Sequence, residues 1–546
     1  MVSSKGRTWI GFHSGISGIA LLLMVTFVGL GSAVSASAQN TYYVSKSTGS
    51  DSAAGATKGT AWAHAPGMAS YTGSHAITAG DTYVLMGCDV WTASDLPFQY
   101  TGTNNGPSLI TIGGEDKTWY NTTNCPSGWN RPVFSNSGHT YLANTNCKND
   151  GSTGQNQVFL CITTAPPGSG YWVVDNIEWM GLTCTGSCTG TQAYVWEPAC
   201  ANCQITNNYF HGLNVAYDNA GNCTLIKSYS GPSNSGTVYQ YNIFDGSDRT
   251  NPSSGGQCDA FYGVYGNGAL VDGNVIHDLT NGIVVYAGSG NTTTYSRNEI
   301  YNALSTNGDN HCNLMEIVGG GTLYIHDNIL HDMVCGGGEM LMLGNTGETS
   351  YIWNNLIYNY NGNGQGPDFP QTGGQNPING LYFWNNTIVT GGNGSCFKSS
   401  GQSGGVITTL VIQNNHCITT AGSVVGSLTG ITITTETSQN NVLMTPTTAS
   451  SQGYTSSETY AYSAVASTNS TVGAGTNLNG SCSGSLASLR SDTTYACAYN
   501  STAQTVTCPG RKTNARPSTG AWDAGAYFYG GDPPPNPPTG LSAVVH

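Results

Sequence analysis

Charge is scarce in this sequence. Only 8% of its 546 residues are charged, 15 basic against 29 acidic. No stretch gathers Lys and Arg into a stripe, which excludes nucleic acid as a partner. Beyond the first 30 residues no apolar run approaches the ~18 needed to span a bilayer. Apolar residues at i, i+3, i+4 spacing are missing too, which argues against a helical array. With 75 Gly the chain resembles a low-complexity polymer, but 31 Tyr, 12 Phe and 11 Trp exclude disorder, which is poor in aromatics.

The first residues read as an export signal. Lys5 and Arg7 precede an apolar run of 12, Ile19–Leu30, and Ala36-Ser37-Ala38 fits the small-residue cleavage rule. Removing residues 1–38 takes away two bases and no acid, leaving 13 − 29 = −16. Export suits 17 Cys, which pair in an oxidising compartment. Cys312 with Cys335, Cys396 with Cys417 and Cys497 with Cys508 are the expected local pairs, and an odd count leaves one thiol over. Cys184–Cys188 and Cys200–Cys203 have no His at finger spacing, so zinc is not expected.

A phrase recurs: TYSRNEIYN, LYIHDNILHD, SYIWNNLIYN, LYFWNNTIV. Its Asn falls at 176, 208, 242, 274, 298, 328, 355, 386, 415 and 441, at intervals of 24 to 34 residues. Each unit holds two short alternating runs rich in β-branched and aromatic residues, and a third such as Gly282–Tyr286. A propeller blade needs four strands in about 40 residues, and these units are too short for that. Three short strands per coil predict an all-β, right-handed parallel β-helix. Its Asn ladder (Asn208, Asn242, Asn274, Asn298, Asn328, Asn355, Asn386, Asn415 in the regular coils) then lies at the bend between the second and third strands. Coils stack ~4.8 Å apart, so one amide can donate and accept across coils at once.

On this repeat the chain resembles the pectate-lyase-like group of right-handed parallel β-helix proteins. Tyr42–Met68 and Ala79–Gly87 look like the entry coil of exported bacterial members, and Arg516–Gly531 looks like their closing segment. The resulting layout is a signal at 1–38, an entry segment at 39–175, regular coils at 176–445, a closing segment at 446–531 and a Pro-rich tail at 532–546. The tail's PPTGLSAVV is similar to the first strand of a fibronectin type III module, with no module following.

The resemblance implies that substrate lies across the first strand of each coil, beneath the longer loops. The candidate first strands are Thr224–Ser228, Asp259–Tyr265, Gly282–Tyr286, Asn313–Ile317 and Glu339–Leu343. Loops 245–258 and 305–312 precede two of them, and the deepest groove is expected between these loops. Lys227, Asp259, Asp309, His311, Glu316 and Glu339 gather on this face as candidate catalytic groups. Two chemistries could use them. Glycoside hydrolysis needs two carboxyls, and Glu316 and Glu339 are on neighbouring coils, offset by about three residues. A lyase needs a base and a cation for a uronate, as Lys227 beside Asp259 or His311 could provide. The sequence departs from the group's patterns, for it has neither the Asp-Asp-Gly and Arg motifs of polygalacturonases nor a clear Asp cluster for the Ca²⁺ of pectate lyases. Ca²⁺ is thus a possible but unindicated cofactor, and the metal is left open.

Tyr265 and Tyr286, with Trp353 and Trp384, are candidates for stacking on sugar rings, against the plainer role of cross-strand packing. A second column, three residues after the Asn ladder, holds His211, Asp245, His277, Tyr301, His331 and Tyr358. Its histidines fall ~10 Å apart on alternate coils, too far for one metal, so a hydrogen-bonded stack is expected. The reading is an exported monomer, secreted or at the cell surface, that engages polysaccharide or a surface glycan as a lyase or glycosidase. A non-catalytic adhesin-like or carbohydrate-binding β-helix is the alternative.

Overall fold

The structure, a computed structural model, describes residues 40–530 except positions 137–156, 164–168, 185–191, 198–199, 216–222, 229–234, 251–257, 287–289, 304–311, 334–338, 345, 361–366, 369–376, 391–393, 399–403, 429, 458–459 and 495–496. Three long parallel sheets carry it. Sheet one has eight strands, sheet two thirteen and sheet three twelve. One coil shows the path: Cys258–Tyr262 in sheet one, Ala269–Asp272 in sheet two, Val275–His277 in sheet three, then Asn281–Val285 back in sheet one, beside its predecessor. The fold is the expected right-handed parallel β-helix, wound in the sense that parallel crossovers take.

Alternation along each strand sends one column inward. In sheet two Val271, Tyr295, Ile325, Ile352, Phe383 and Ile412 stand in register, and in sheet three Phe244, Ile276, Ile300, Leu330, Ile357 and Ile388 do so. All of these belong to one continuous interior cluster. This packing, at ~25 cal/mol per Å² of apolar area removed from water, dominates the stability.

The bend between sheets two and three explains the Asn-Asn pairs. Its first residue sits at positive φ, at Asn207, Tyr241, Arg297, Asp327, Asn354, Asn385, Asn414 and Asn440. That conformation suits Asn and Asp and strains larger side chains. The next residue is the ladder Asn. Asn328 illustrates the bonding: its backbone N–H and its Nδ2 both donate to Asn355 Oδ1, at 3.0 and 2.9 Å, and Nδ2 also donates to Tyr295 O at 3.0 Å. Each amide oxygen thus takes two donors from the coil before it. Asn208, Asn242, Asn274, Asn298, Asn355, Asn386 and Asn415 repeat the pattern, and Asn441 ends it. Asn176 was expected in this column and is not in it. It occupies the positive-φ position itself (φ 53), and Ile177 stands where the ladder would be.

The second column is the expected stack. The rings of His277, Tyr301, His331 and Tyr358 lie nearly parallel, with centroids 5.1, 4.9 and 5.0 Å apart. His211 instead stacks on Tyr209 of its own strand and bonds Glu178 and Asp248.

Beyond the last coil, the chain runs back along the positive-φ bends. Thr476 bonds Asn414 and Asn440, Ser491 accepts from Asn354, and Thr494 donates to Asp327. Cys497 reaches Arg297, and Gln504 accepts from Arg131, 373 residues earlier. This returning segment also covers Trp353 and Trp384, which pack with Leu478, Leu489 and Trp522 and are 0% and 6% exposed. The expectation that these tryptophans could stack on sugars is therefore overturned.

Cys396–Cys417 and Cys497–Cys508 are bonded as expected. Cys312 is also oxidised, while Cys335 lies outside the described residues. Cys88–Cys125, Cys200–Cys203 and Cys223–Cys258 are further bridges, and Cys482 keeps a free thiol. The Cys200–Cys203 bond takes up one of the two close Cys pairs.

Candidate functional site

The outward face of sheet one is built by alternation. Lys227, Tyr262, Val284, Glu316 and Met342 are successive partners in one column. The column continues past the last full strand. Asp368 N–H donates to Leu341 O and its carbonyl accepts from Leu343, so it stands beside Met342, and Asp368 in turn bridges to Lys398. Glu316 and Asp368 are thus two coils apart, ~10 Å along the helix axis at the backbone.

A second row runs beside it: Asp259, Asn281, Asn313 and Glu339. Asn281 Nδ2 donates to Asp259 Oδ1 at 2.7 Å, and Asn281 Oδ1 accepts from Asn313 N–H at 2.8 Å. Asn313 Oδ1 then accepts from Glu339 N–H at 2.8 Å. The rows join at Glu316. One of its carboxylate oxygens accepts from Asn313 Nδ2 at 2.7 Å and the other from the Tyr286 phenol, which is 53% exposed.

Four acids therefore share this face: Asp259, Glu316, Glu339 and Asp368, all of them buried. Burial pushes the Glu339 carboxyl up to about 7, and the neighbouring Asp368 adds to the rise while Lys398 opposes it. Lys398 lies 3.8 Å from Asp368. Its ammonium is pulled below the usual range by burial, against the pull of Asp368 and Glu339. A protonated acid beside a second carboxyl and an amine can deliver a proton, hold a water or orient a sugar hydroxyl.

The sequence candidates fare unevenly. Asp259, Glu316 and Glu339 come together on one face, and Glu339 is offset three residues from Met342, the register partner of Glu316, as expected. Lys227 is offset from Asp259 by three residues along the strand. The register pairs it with Tyr262, whose ring its ammonium overlies at 5.7 Å, and pairs Asp259 with Thr224. Tyr286 belongs to the site through Glu316, whereas Tyr265 is half-buried against the interior cluster. Asp309 and His311 lie outside the described residues. Asp368 and Lys398 were missed. They follow Met342 by 26 and then 30 residues, within the period of the repeat, but GPDFP and CFK contain no alternating run.

Among the described residues, Asn281 and Asn313 stand between Asp259 and Glu339, so that row does not form a multi-carboxylate Ca²⁺ cage, and no chemistry is routed through one. Among the described residues, Asp245, His277 and Asp278 come within 4.8 Å of one another. Their carboxylates already accept from Tyr209, Ser247, Asn302 and His277. A hollow of about 710 Å³ lies elsewhere, against segment 51–78 at the N-terminal edge; most of loops 245–258 and 305–312, between which the deepest groove is expected, lies outside the described residues.

No protein-family model matches the chain. No curated protein matches its sequence either. Solved structures resemble it distantly. A pectate lyase is 14% identical, covering 90% of this chain and 97% of its own, with a TM-score of 0.43. A lacto-N-biosidase from Eubacterium ramulus is 12% identical over 74% of this chain and 68% of its own, at 0.41. A rhamnogalacturonan lyase is 14% identical over 74% and 87%, at 0.39. Likeness of this degree says nothing about which groups act here.

Proposed function

We propose that this chain is an exported enzyme that hydrolyses a glycosidic bond of a polysaccharide laid across sheet one. The observation that carries the reading is the Glu339–Asp368 pair, two buried carboxyls on adjacent coils, with the Glu339 carboxyl raised to about 7. Glu339 gives its proton to the leaving glycosidic oxygen. Asp368 takes a proton from the attacking water or steadies the positive charge on the sugar, as a carboxyl pair does in hydrolysis. Glu316, held by Tyr286 and Asn313, has no free rotation and suits a hydroxyl contact that fixes the sugar's position. The disulfides support an oxidising, extracellular setting.

One observation favours a second reading, a lyase. Lys398 stands at the end of the same column and could neutralise a uronate carboxylate. The purified mature chain, offered neutral and uronate polysaccharides, separates the two. Hydrolysis yields reducing ends without new absorbance, and elimination yields an unsaturated product absorbing near ~235 nm, as the two chemistries require. Glu339→Gln should abolish product, and Asp368→Asn should leave only a slow residual turnover. Absence of product from the wild-type chain on every polymer would sink the enzyme reading and leave a binding face.

A further inference from the structure

The hollow at the N-terminal edge belongs to neither reading. Asp51, Trp62, Tyr71, Thr72, Ser74 and His75 line it. Its size, about 710 Å³, falls in the range of small-ligand sites. It is also preformed. Asp51 Oδ1 accepts from the N–H groups of Ala63 and His64 at 3.1 and 2.9 Å, and its Oδ2 from Thr72 N–H and His64 Nδ1 at 3.1 and 2.9 Å. One buried carboxylate therefore ties two walls together. Behind them Trp62 is pinned, stacked on Tyr42 at 4.7 Å and donating Nε1–H to Ala53 O.

The polar groups left at the surface of the hollow are specific. His75 Nε2 lies 3.0 Å from Asp81 Oδ2, which also accepts from Thr78 N–H and the Tyr83 phenol. A carboxylate only accepts, so Nε2 carries a proton, and Nδ1 has no protein partner among the described residues. Tyr71 accepts from the His75 N–H through its phenol oxygen and keeps its own O–H to give. Ser74 and Thr78 add hydroxyls. No Lys or Arg lines the space; Asp51 does, and Asp81 lies behind His75. The lining thus offers neutral donors and acceptors beside the half-buried ring of Tyr71, over a negative floor. Anionic ligands are repelled, and a flat, hydroxyl-bearing neutral ligand is matched.

We infer that this hollow binds a neutral glycosyl unit, as a second carbohydrate site independent of the acids on sheet one. Isothermal titration of the mature chain with neutral gluco-, xylo-, manno- and galacto-oligosaccharides tests it, with oligogalacturonate as the charged control. One neutral class should bind saturably, tenfold or more weakly in Ser74→Trp, whose exposed position lets the indole fill the space, and several-fold more weakly in Tyr71→Phe. Glu339→Gln should leave that affinity unchanged. The melting temperature of each variant checks folding. Saturable binding to no neutral class, binding that Ser74→Trp leaves intact, or a preference for oligogalacturonate would each overturn the proposal. Turnover at sheet one is read separately, so either idea can fail alone.

Discussion

The phenol of Tyr286 donates to the carboxylate of Glu316 on the next coil, and Asn313 holds the other oxygen of that carboxylate. The bond spans one coil and ends on a half-exposed ring, so it orders the face more than it stabilises the fold. Tyr286→Phe removes the donor and keeps the ring. With a hydrogen bond to a charged group worth ~1.5–3 kcal/mol, kcat/KM on the polymer that the wild-type chain cleaves should fall about ten- to hundredfold. The melting temperature should stay within a degree or two. A large thermal shift with unchanged turnover would mean that the bond is architectural.

Glu339 predicts the pH profile. Burial and Asp368 lift its carboxyl to about 7, so it holds a proton below that pH and loses it above. If it is the proton donor, activity should decline as pH rises through about 7, and Asp368→Asn should move that limb to lower pH by removing a neighbouring negative charge. The same shift acts on stability. An acid whose folded value is raised is bound by more protons folded than unfolded, so stability falls between about 4.5 and 7 as pH rises. Rate profiles of the wild-type chain and of the residual activity of Asp368→Asn from pH 5 to 9 check this, and a flat alkaline limb in the wild-type chain would remove Glu339 from the role.

The coils were legible because the Asn period and the alternation of apolar residues agree at every unit, and agreement between levels is what specifies a fold. Within that frame the register slipped once, at Asn176, where the residue at the bend and the residue after it are both plausible ladder positions. The acids Asp259, Glu316 and Glu339 were readable because each sits in or beside an alternating run. Asp368 and Lys398 were not, since each enters sheet one through a single bridge flanked by Pro, Gly or Cys. Nor could the strand runs around Trp353 and Trp384 reveal that a segment 94 to 169 residues later covers them. Lys227 was placed on the right sheet but not in register with Asp259: three residues of offset along a strand amount to ~10 Å at the backbone.

Asn328 is fully engaged, giving both amide hydrogens and its N–H while its oxygen takes two donors from Asn298. Replacing it with Ala strands buried groups on two coils. The expected cost is ~1–3 kcal/mol, seen as a lower urea midpoint with the slope unchanged. Asn328→Asp, which accepts but cannot donate, should be at least as damaging at neutral pH. An unchanged midpoint in both would contradict the ladder.

Cys223 and Cys258 are register partners on adjacent coils of sheet one, with Cα atoms 4.8 Å apart and 35 residues of chain between them. A closure of that length constrains the unfolded chain by ~2–4 kcal/mol. The paired change to Ser should lower the melting temperature under oxidising conditions and leave it unaltered, relative to wild type, once both proteins are reduced. Because the bridge borders Asp259, the variant also shows whether the row Asp259–Asn281–Asn313–Glu339 needs it. Turnover that survives at temperatures below the new melting point would assign the bridge to the scaffold alone.

Glu197 gives the clearest linkage test, because it is assigned no part in the proposed chemistry: it is wholly buried, and the Tyr239 phenol donates to one of its oxygens. Burial pushes its carboxyl up to about 8, against the pull of the Tyr239 and Ser228 hydroxyls. The unfolded chain releases this proton near 4.5, the folded chain near 8. Between those values the folded state binds the extra proton, so this group makes stability fall with rising pH, by up to ~1.4 kcal/mol per unit. Above about 8 both states are ionised and the slope from this residue vanishes. Glu197→Gln keeps the shape and a hydrogen-bonding amide but cannot titrate. It should flatten the stability profile between pH 5 and 8 and gain most over wild type at pH 8 and above. His331 acts in an overlapping window, from 6.5 to about 9, and in the same direction, since burial lowers its imidazolium but Asp332 and Glu299 outweigh that and hold it up to about 9. A base raised this way stabilises fully below 6.5 and loses that contribution as pH climbs through 9, so the Glu197→Gln profile should retain a slope that the further change His331→Gln removes. Urea melts of the three proteins at pH 5, 6.5, 8 and 9.5 resolve the two contributions, and identical slopes for wild type and Glu197→Gln would mean that the buried carboxyl is ionised in the fold.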